Sequence, residues 1–198
     1  IYTLSLHDAL PILVDPEGVY YVSGHPMTGK ETSGVEAADK DLFRHKCYVL
    51  MEETTAPPED YQRVADLVKL TGANLTTLDV KCHDRCASVI SHVPHVTASA
   101  LVTLLSRSGG DIAAALKLAG GGFKDTTRIA SSNADMWANI CLTNSEAIAG
   151  HLRHLVGILG EVVEAVEAGD RAALYDYFTA AKERRDCILD ETGKMFDI

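Results

Sequence analysis

The chain has 198 residues, with 28 acidic against 18 basic side chains and a formal net charge of −10. That balance argues against nucleic acid or an anionic membrane as a partner, since either is usually met by a basic face, and favours a small-molecule substrate. The length suffices for a sizeable core, and five cysteines (47, 82, 86, 141, 187) without a regular framework fit a reducing, cytoplasmic setting. No export signal is legible, and no apolar stretch approaches the length of a bilayer span.

Residues 1–12 have neither a period nor a turn signal joining them to the segment after residue 12, so they are unassigned and expected to lack contacts with the core; a short edge strand is the alternative. From 13 to 79 the pattern alternates strand with helix, a piece of an α/β sheet. Val19 to Val22 predicts one strand, Cys47 to Met51 a second and Leu75 to Leu78 a third. A helix is expected from about Pro58 to Leu70, with Val64, Leu67, Val68 and Leu70 on its apolar face and Gly72 as its stop.

After the first strand comes Ser23-Gly24-His25-Pro26-Met27-Thr28-Gly29-Lys30-Glu31-Thr32-Ser33-Gly34. Its glycines predict a turn, and Pro26 biases His25 towards extended backbone. An imidazole is thereby placed at a strand's carboxyl end, the side on which open α/β sheets bind ligands. A surface histidine in a glycine-rich turn is the alternative.

From 80 onward helices follow one another. Two pieces, 80–91 and 94–107, are expected to be separated or kinked at Pro94, which has no N–H to donate. Ile112 to Leu118 is a short helix, Ser132 or Asn133 caps Ala134 to Leu142, and Thr143-Asn144-Ser145-Glu146 has capping-box spacing for a long helix. In that helix Ile148, Leu152, Leu155, Leu159, Val162 and Val166 form a heptad seam suited to lengthwise packing on another helix. Gly169-Asp170 ends it and caps a last helix from Arg171.

Cys82-His83-x-x-Cys86 with His92 and His95 has zinc-ligand chemistry, but continuous helix keeps the cysteines about two turns from the histidines, so no metal is expected. Glycines 120 to 122 permit close backbone approach of a ligand, and Arg128 offers a planar fork for a carboxylate or, equally, an ion pair with Asp125. Trp137 is expected in the core. There is no Gly-x-Gly-x-x-Gly in the sequence, so the pyrophosphate turn of a dinucleotide site is absent and the cofactor-binding residues are unknown.

Together, His25-Pro26-Met27 with Gly29, Glu31 and Ser33-Gly34, then His83-Asp84, Ser91-His92-Val93-Pro94-His95, Gly121 through Ala130, and Met136-Trp137 resemble the prephenate and arogenate dehydrogenases of tyrosine biosynthesis. The resemblance runs from about 13 to 190. It implies an α/β remnant of a Rossmann-type domain (13–79), lacking its first strands, followed by an all-helical substrate-binding and dimerisation domain (80–198). It also implies oxidative decarboxylation of prephenate or arogenate with hydride transfer to NAD or NADP, in a homodimer. On this resemblance His25 is the catalytic base, expected to titrate near neutrality. Arg128 would hold the ring carboxylate with Asp125 orienting it, Glu31 would gate or position the site, and His92 and His95 would line the pocket. A non-catalytic helical dimerisation module remains the alternative for the chain as it stands.

Overall fold

The computed structural model describes residues 19–29 and 34–196, so the expectations for residues 1–12 and for Glu31 lie outside the described residues. Three strands form one sheet in the order β1 (Val22–Pro26), β2 (Cys47–Thr54) and β3 (Asn74–Leu78). The central β2 pairs antiparallel with β1 and parallel with β3. Its run Val49-Leu50-Met51 is buried on both faces, the pattern of a strand covered from two sides. Helix α1 (Pro58–Leu70) packs Ala65 and Val68 on Leu50, and α2 (Val80–Ala87) packs Val80 on Val49 and Met51. Each buried Val, Leu and Met side chain of this set contributes about 1.5–3 kcal/mol by leaving water.

Helix α1 has the predicted bounds, with Pro58 at its first turn and Gly72, at φ +79°, beyond its end. Its inward stripe is Tyr61, Val64, Ala65 and Val68. Leu67 and Leu70, expected on that stripe, are 63% and 84% exposed, because helical spacing carries both away from Val68.

The first strand departs from expectation. It covers 22–26, not 19–22, so His25 is a strand residue and not a loop residue. The edge of β2 supplies the reason: Gly24 lies opposite Leu50, His25 opposite Val49 and Pro26 opposite Tyr48, and an edge strand tolerates proline. The antiparallel direction also puts the carboxyl end of β1 beside the start of β2, so the parallel-sheet crevice rule does not locate His25. The pleat locates it instead. Directly opposed residues share a face, so His25 lies on the Val49 face, the one that α2 covers.

Two carboxylates anchor α2 just above that face. Asp79 accepts from the Cys82 N–H at 2.9 Å, and both oxygens of Glu53, near the end of β2, accept from the Val80 N–H at 3.0 and 3.2 Å. The helix does not break at Pro94. It passes through one wide π turn (Ser88–His92), where the Val93 N–H reaches back to the Ser88 carbonyl, and continues as α3 (Val93–Arg107). The wider turn absorbs the proline ring that would otherwise strain a regular helix. The resulting rod, Val80–Arg107, is by length and composition alone long and apolar enough to cross a bilayer, which corrects the shorter segments expected from the sequence.

The rest is helical: α4 (Ile112–Leu118), α5 (Gly121–Thr127), a 3-10 turn (Arg128–Ser131), α6 (Ala134–Thr143), α7 (Ser145–Glu167) and α8 (Arg171–Phe196). Asp111, Asn133 and Asp170 cap α4, α6 and α8 with their side-chain oxygens. The predicted capping box at 143–146 does not form; Thr143 Oγ1 donates to the Asn139 carbonyl at 3.0 Å, and the Asn144 side chain is engaged elsewhere.

Gly24 provides a test of this register. A Cβ there would meet Leu50 Cδ2 and Tyr48 Cε1 at 2.8 Å, and Leu50 is too deeply buried to swing away. Gly24→Ala should therefore destabilise the fold by about 1–3 kcal/mol in urea unfolding, the usual cost of overpacking. An unchanged midpoint would mean that β1 does not lie against β2 as described.

Candidate functional site

The site is built where the sheet meets the helical half. His25 Nδ1 is 2.9 Å from His83 Nε2, with the two rings edge to face at 5.1 Å. His83 Nδ1 is in turn 2.9 Å from Asp84 Oδ1. His83 is buried, His25 is half-buried, and the three side chains form one line from the helix to the strand. β1 presents His25 because its register puts it on the α2 face, and α2 presents His83 one turn after its doubly capped start.

His92 joins the group through the π turn. Nine residues of regular helix would rotate His92 to about half a turn from His83, on the opposite side. The widened turn changes that phase. Asn144, at the amino end of α7, ties the parts together: its Nδ2 donates to the Asp84 carbonyl at 2.8 Å and contacts His92 Nδ1 at 3.3 Å. His92 Nδ1 is thus an acceptor, and a neutral His92 carries its proton on Nε2. Beyond it, His95 Nδ1 donates to the Ser91 carbonyl at 2.9 Å, and the ring stacks on Trp137 at 3.8 Å.

Trp137 is therefore not simply core. It is a half-buried platform for His95, edge-on to His92 at 6.1 Å, because α6 brings it alongside the start of α3. Its buried Nε1 has no hydrogen-bond partner among the described residues. His95, Ser99, Ile129, Ala130, Trp137 and Cys141 help to line a cavity of about 230 Å³. Arg128 and Asp125 are both exposed, one turn apart, and Arg128 immediately precedes the lining pair Ile129 and Ala130. Among the described residues no three His, Cys, Asp or Glu side chains are placed to share a metal ion.

The sequence singles out His25, His92, His95, Arg128 and Asp125 for the site. The structure brings His25 and His92 into one electrostatic group with His83 and Asp84, puts His95 in the lining of the cavity beside Trp137, and leaves Arg128 and Asp125 exposed and outside that lining. His83, Asp84 and Asn144 are the additional polar members. The His83-Asp84 pair is visible in the sequence as a motif, whereas Asn144 is masked by its capping-box context.

Electrostatics correct one expectation. Burial, reinforced by His83 and His92 and only partly offset by Asp84, lowers the His25 pKa to about 4. Burial also lowers His92, against a pull upward from Asp84. His25 in the folded chain is thus neutral at physiological pH and does not titrate near neutrality. Unfolded imidazole takes up its proton near pH 6.5, so between about 6.5 and 4 the unfolded state binds more protons than the folded state. The stability tied to a neutral His25 is complete above 6.5 and is lost as pH falls through that window. His25→Gln should flatten this part of the stability-pH curve, and NMR titration of the native chain should place the His25 inflection well below 6. An inflection near 6.5 would overturn this description of the site.

Comparison with known proteins agrees with the architecture. The family model described as "Prephenate dehydrogenase, nucleotide-binding domain" matches residues 5–77, and that described as "Prephenate dehydrogenase, dimerization domain" matches residues 79–180. The chain is 35% identical over 171 residues to a prephenate dehydrogenase of Bacillus subtilis, covering 86% of this chain and 46% of that protein. It is 34% identical over 177 residues to one from Lactococcus lactis, covering 89% and 48%. It thus spans about half the length of these curated relatives. The crystal structure of A. aeolicus prephenate dehydrogenase in complex with hydroxyphenyl propionate and NAD+ superposes with a TM-score of 0.77 at 31% identity, over 84% of this chain and 58% of that one. Synechocystis arogenate dehydrogenase shares the fold, with a TM-score of 0.74 at 23% identity over 85% and 61%. A three-stranded Rossmann-type remnant followed by a helical domain is the arrangement that this family's two halves predict, and the chain belongs to the prephenate dehydrogenase family.

Proposed function

We propose that this chain carries the proton-handling and substrate-binding part of an enzyme that oxidatively decarboxylates prephenate to 4-hydroxyphenylpyruvate, in the cytoplasm and as a homodimer. The observation that supports it most is the neutral, half-buried His25 held between the sheet and the helical half, in one electrostatic group with His83, His92 and Asp84. Prephenate is a cyclohexadienol with a ring carboxylate. The ring hydroxyl donates a hydrogen bond to His25 and passes its proton there as the carbon bearing it loses hydride. Loss of the ring carboxylate as carbon dioxide then leaves an aromatic phenolate, which takes the proton back from His25 to give the phenol. Arg128 faces the carboxylate with its planar fork and Asp125 orients it, while His92, His95 and Trp137 line the side-chain end.

NAD or NADP would be the hydride acceptor. The sequence contains no Gly-x-Gly-x-x-Gly, and the three strands described here include no glycine-rich strand-to-helix turn, so no residue of this chain is assigned to the cofactor. Arogenate is the other substrate compatible with the same chemistry, the structure of an arogenate dehydrogenase sharing the fold.

The dimer is supported by an exposed apolar stripe. On α7, Val156, Leu159, Val163 and Val166 are 50–68% exposed at spacings of three and four, while Ile148 at the start of the predicted seam is buried within the chain. Leu159 and Val166, both members of that seam, thus remain available to a second copy. Light scattering at micromolar concentration should give twice the chain mass, and a monomer would count against the assignment.

The catalytic reading is tested in the full-length protein encoded by the reading frame that contains this chain. His25→Asn should lower turnover by about 100- to 10,000-fold with little change in substrate affinity. Arg128→Ala should chiefly raise KM, at a cost of about 2–4 kcal/mol. Near wild-type turnover in the first variant would move the base elsewhere, and an unchanged KM in the second would make Arg128 structural.

A further inference from the structure

The line of contacts from Asp84 to His25 has a direction. An ionised carboxylate can only accept, so the 2.9 Å contact from His83 Nδ1 to Asp84 Oδ1 requires the His83 proton to sit on Nδ1. In a neutral His83 the other nitrogen, Nε2, then carries a lone pair. That lone pair faces His25 Nδ1 at 2.9 Å, so the His25 proton must sit on Nδ1, where it is donated to His83. The second nitrogen of His25, Nε2, is consequently bare. The opposite arrangement would set two lone pairs, or two N–H groups, against each other at 2.9 Å around a histidine that is only 6% exposed.

We propose that Asp84 and His83 are positioning residues that hold His25 in its Nδ1–H tautomer and so keep Nε2 free to accept the substrate's hydroxyl proton. The proposal rests on the reading of His25 as the base and adds what makes it competent. An imidazole in the other tautomer would present an N–H to the hydroxyl and could not take its proton. The second contact also orients the ring, edge to face with His83, so both the identity and the direction of the accepting nitrogen are set by α2. Asp84 is itself held from behind, because its carbonyl accepts from Asn144 on α7. The arrangement parallels the role of the aspartate in a Ser-His-Asp triad, with one histidine interposed.

The direct test is ¹⁵N NMR of the histidine-labelled chain at about pH 8, above the ordinary imidazole titration. The wild-type His25 should show a pyrrole-like Nδ1 and a pyridine-like Nε2. Asp84→Ala removes the carboxylate and should turn this into a mixture of tautomers, and Asp84→Glu should restore the preference. Should Asp84→Ala not fold, His83→Phe keeps a ring in place while removing the acceptor, with the same expected loss. A pyridine-like Nδ1 in the wild type would overturn the proposal, and so would a wild-type pattern in a folded Asp84→Ala chain. In the full-length protein Asp84→Ala should reduce kcat by about 100-fold or more with KM little changed. The two readings fail separately: the expected spectrum with an active His25→Asn enzyme would remove the base and keep the relay. The converse result would keep the base and remove the relay.

Discussion

The constraint on which the structure depends is the burial of β2 on both faces. Val49, Leu50 and Met51 cannot all leave water unless both sides of the strand are covered, and among the described residues α1 and α2 cover them. Helix α1 takes the Leu50 side, which obliges the chain after β3 to return over the Val49 side as α2. Asp79 and Glu53 fix the start of that return by satisfying backbone donors that a bare helix end would leave open. Once α2 lies there, the residue one turn along it, His83, must meet whatever β1 presents on the same face. The register of β1 makes that residue His25. The histidine pair is thus a by-product of covering a strand.

How much of this is legible in the sequence depends on where the information sits. The bounds of α1, the apolar run of β2 and the Asn133 cap are local properties, carried by a few neighbouring residues, and the sequence displays them. The position of β1 is not local. Val19 to Val22 is more strand-like than Gly24-His25-Pro26, yet the latter is the segment that β2 pairs with, and pairing outweighs propensity when a central strand has a free edge. Gly24 reads as a turn residue in the sequence; its actual role is to leave room for Tyr48 and Leu50.

The site is legible in its residues and not in its geometry. His25, His92 and His95 stand out as ionisable groups beside prolines, but the phase that puts His92 near His83 depends on a π turn that a proline does not announce. Asn144 is concealed for a different reason. In a capping position its side chain is expected to serve its own helix, and here it serves Asp84 and His92 instead, leaving α7 without a side-chain cap. That unmet local preference is the usual mark of a residue kept for a purpose elsewhere in the fold. Trp137 obeys the same logic, as a large apolar ring whose flat face is given to His95 and not to the core.

The electrostatics of the site carry a last consequence for how it would work as proposed. A base with a pKa of about 4 is always available at neutral pH, but proton transfer to it from a hydroxyl is strongly uphill in the empty site. The causes of the depression point to the remedy. Burial disfavours charge on His25, and His83 and His92 would repel it, so whatever enters the site with negative charge acts in the opposite direction. A doubly carboxylated substrate brings that charge with it, and as the hydroxyl-bearing carbon loses hydride the hydroxyl itself becomes far more acidic. The proton is then driven to His25 by the substrate's own chemistry. A strongly basic histidine would be protonated and useless beforehand; a weakly basic one stays ready, and its weakness matters only until hydride begins to leave.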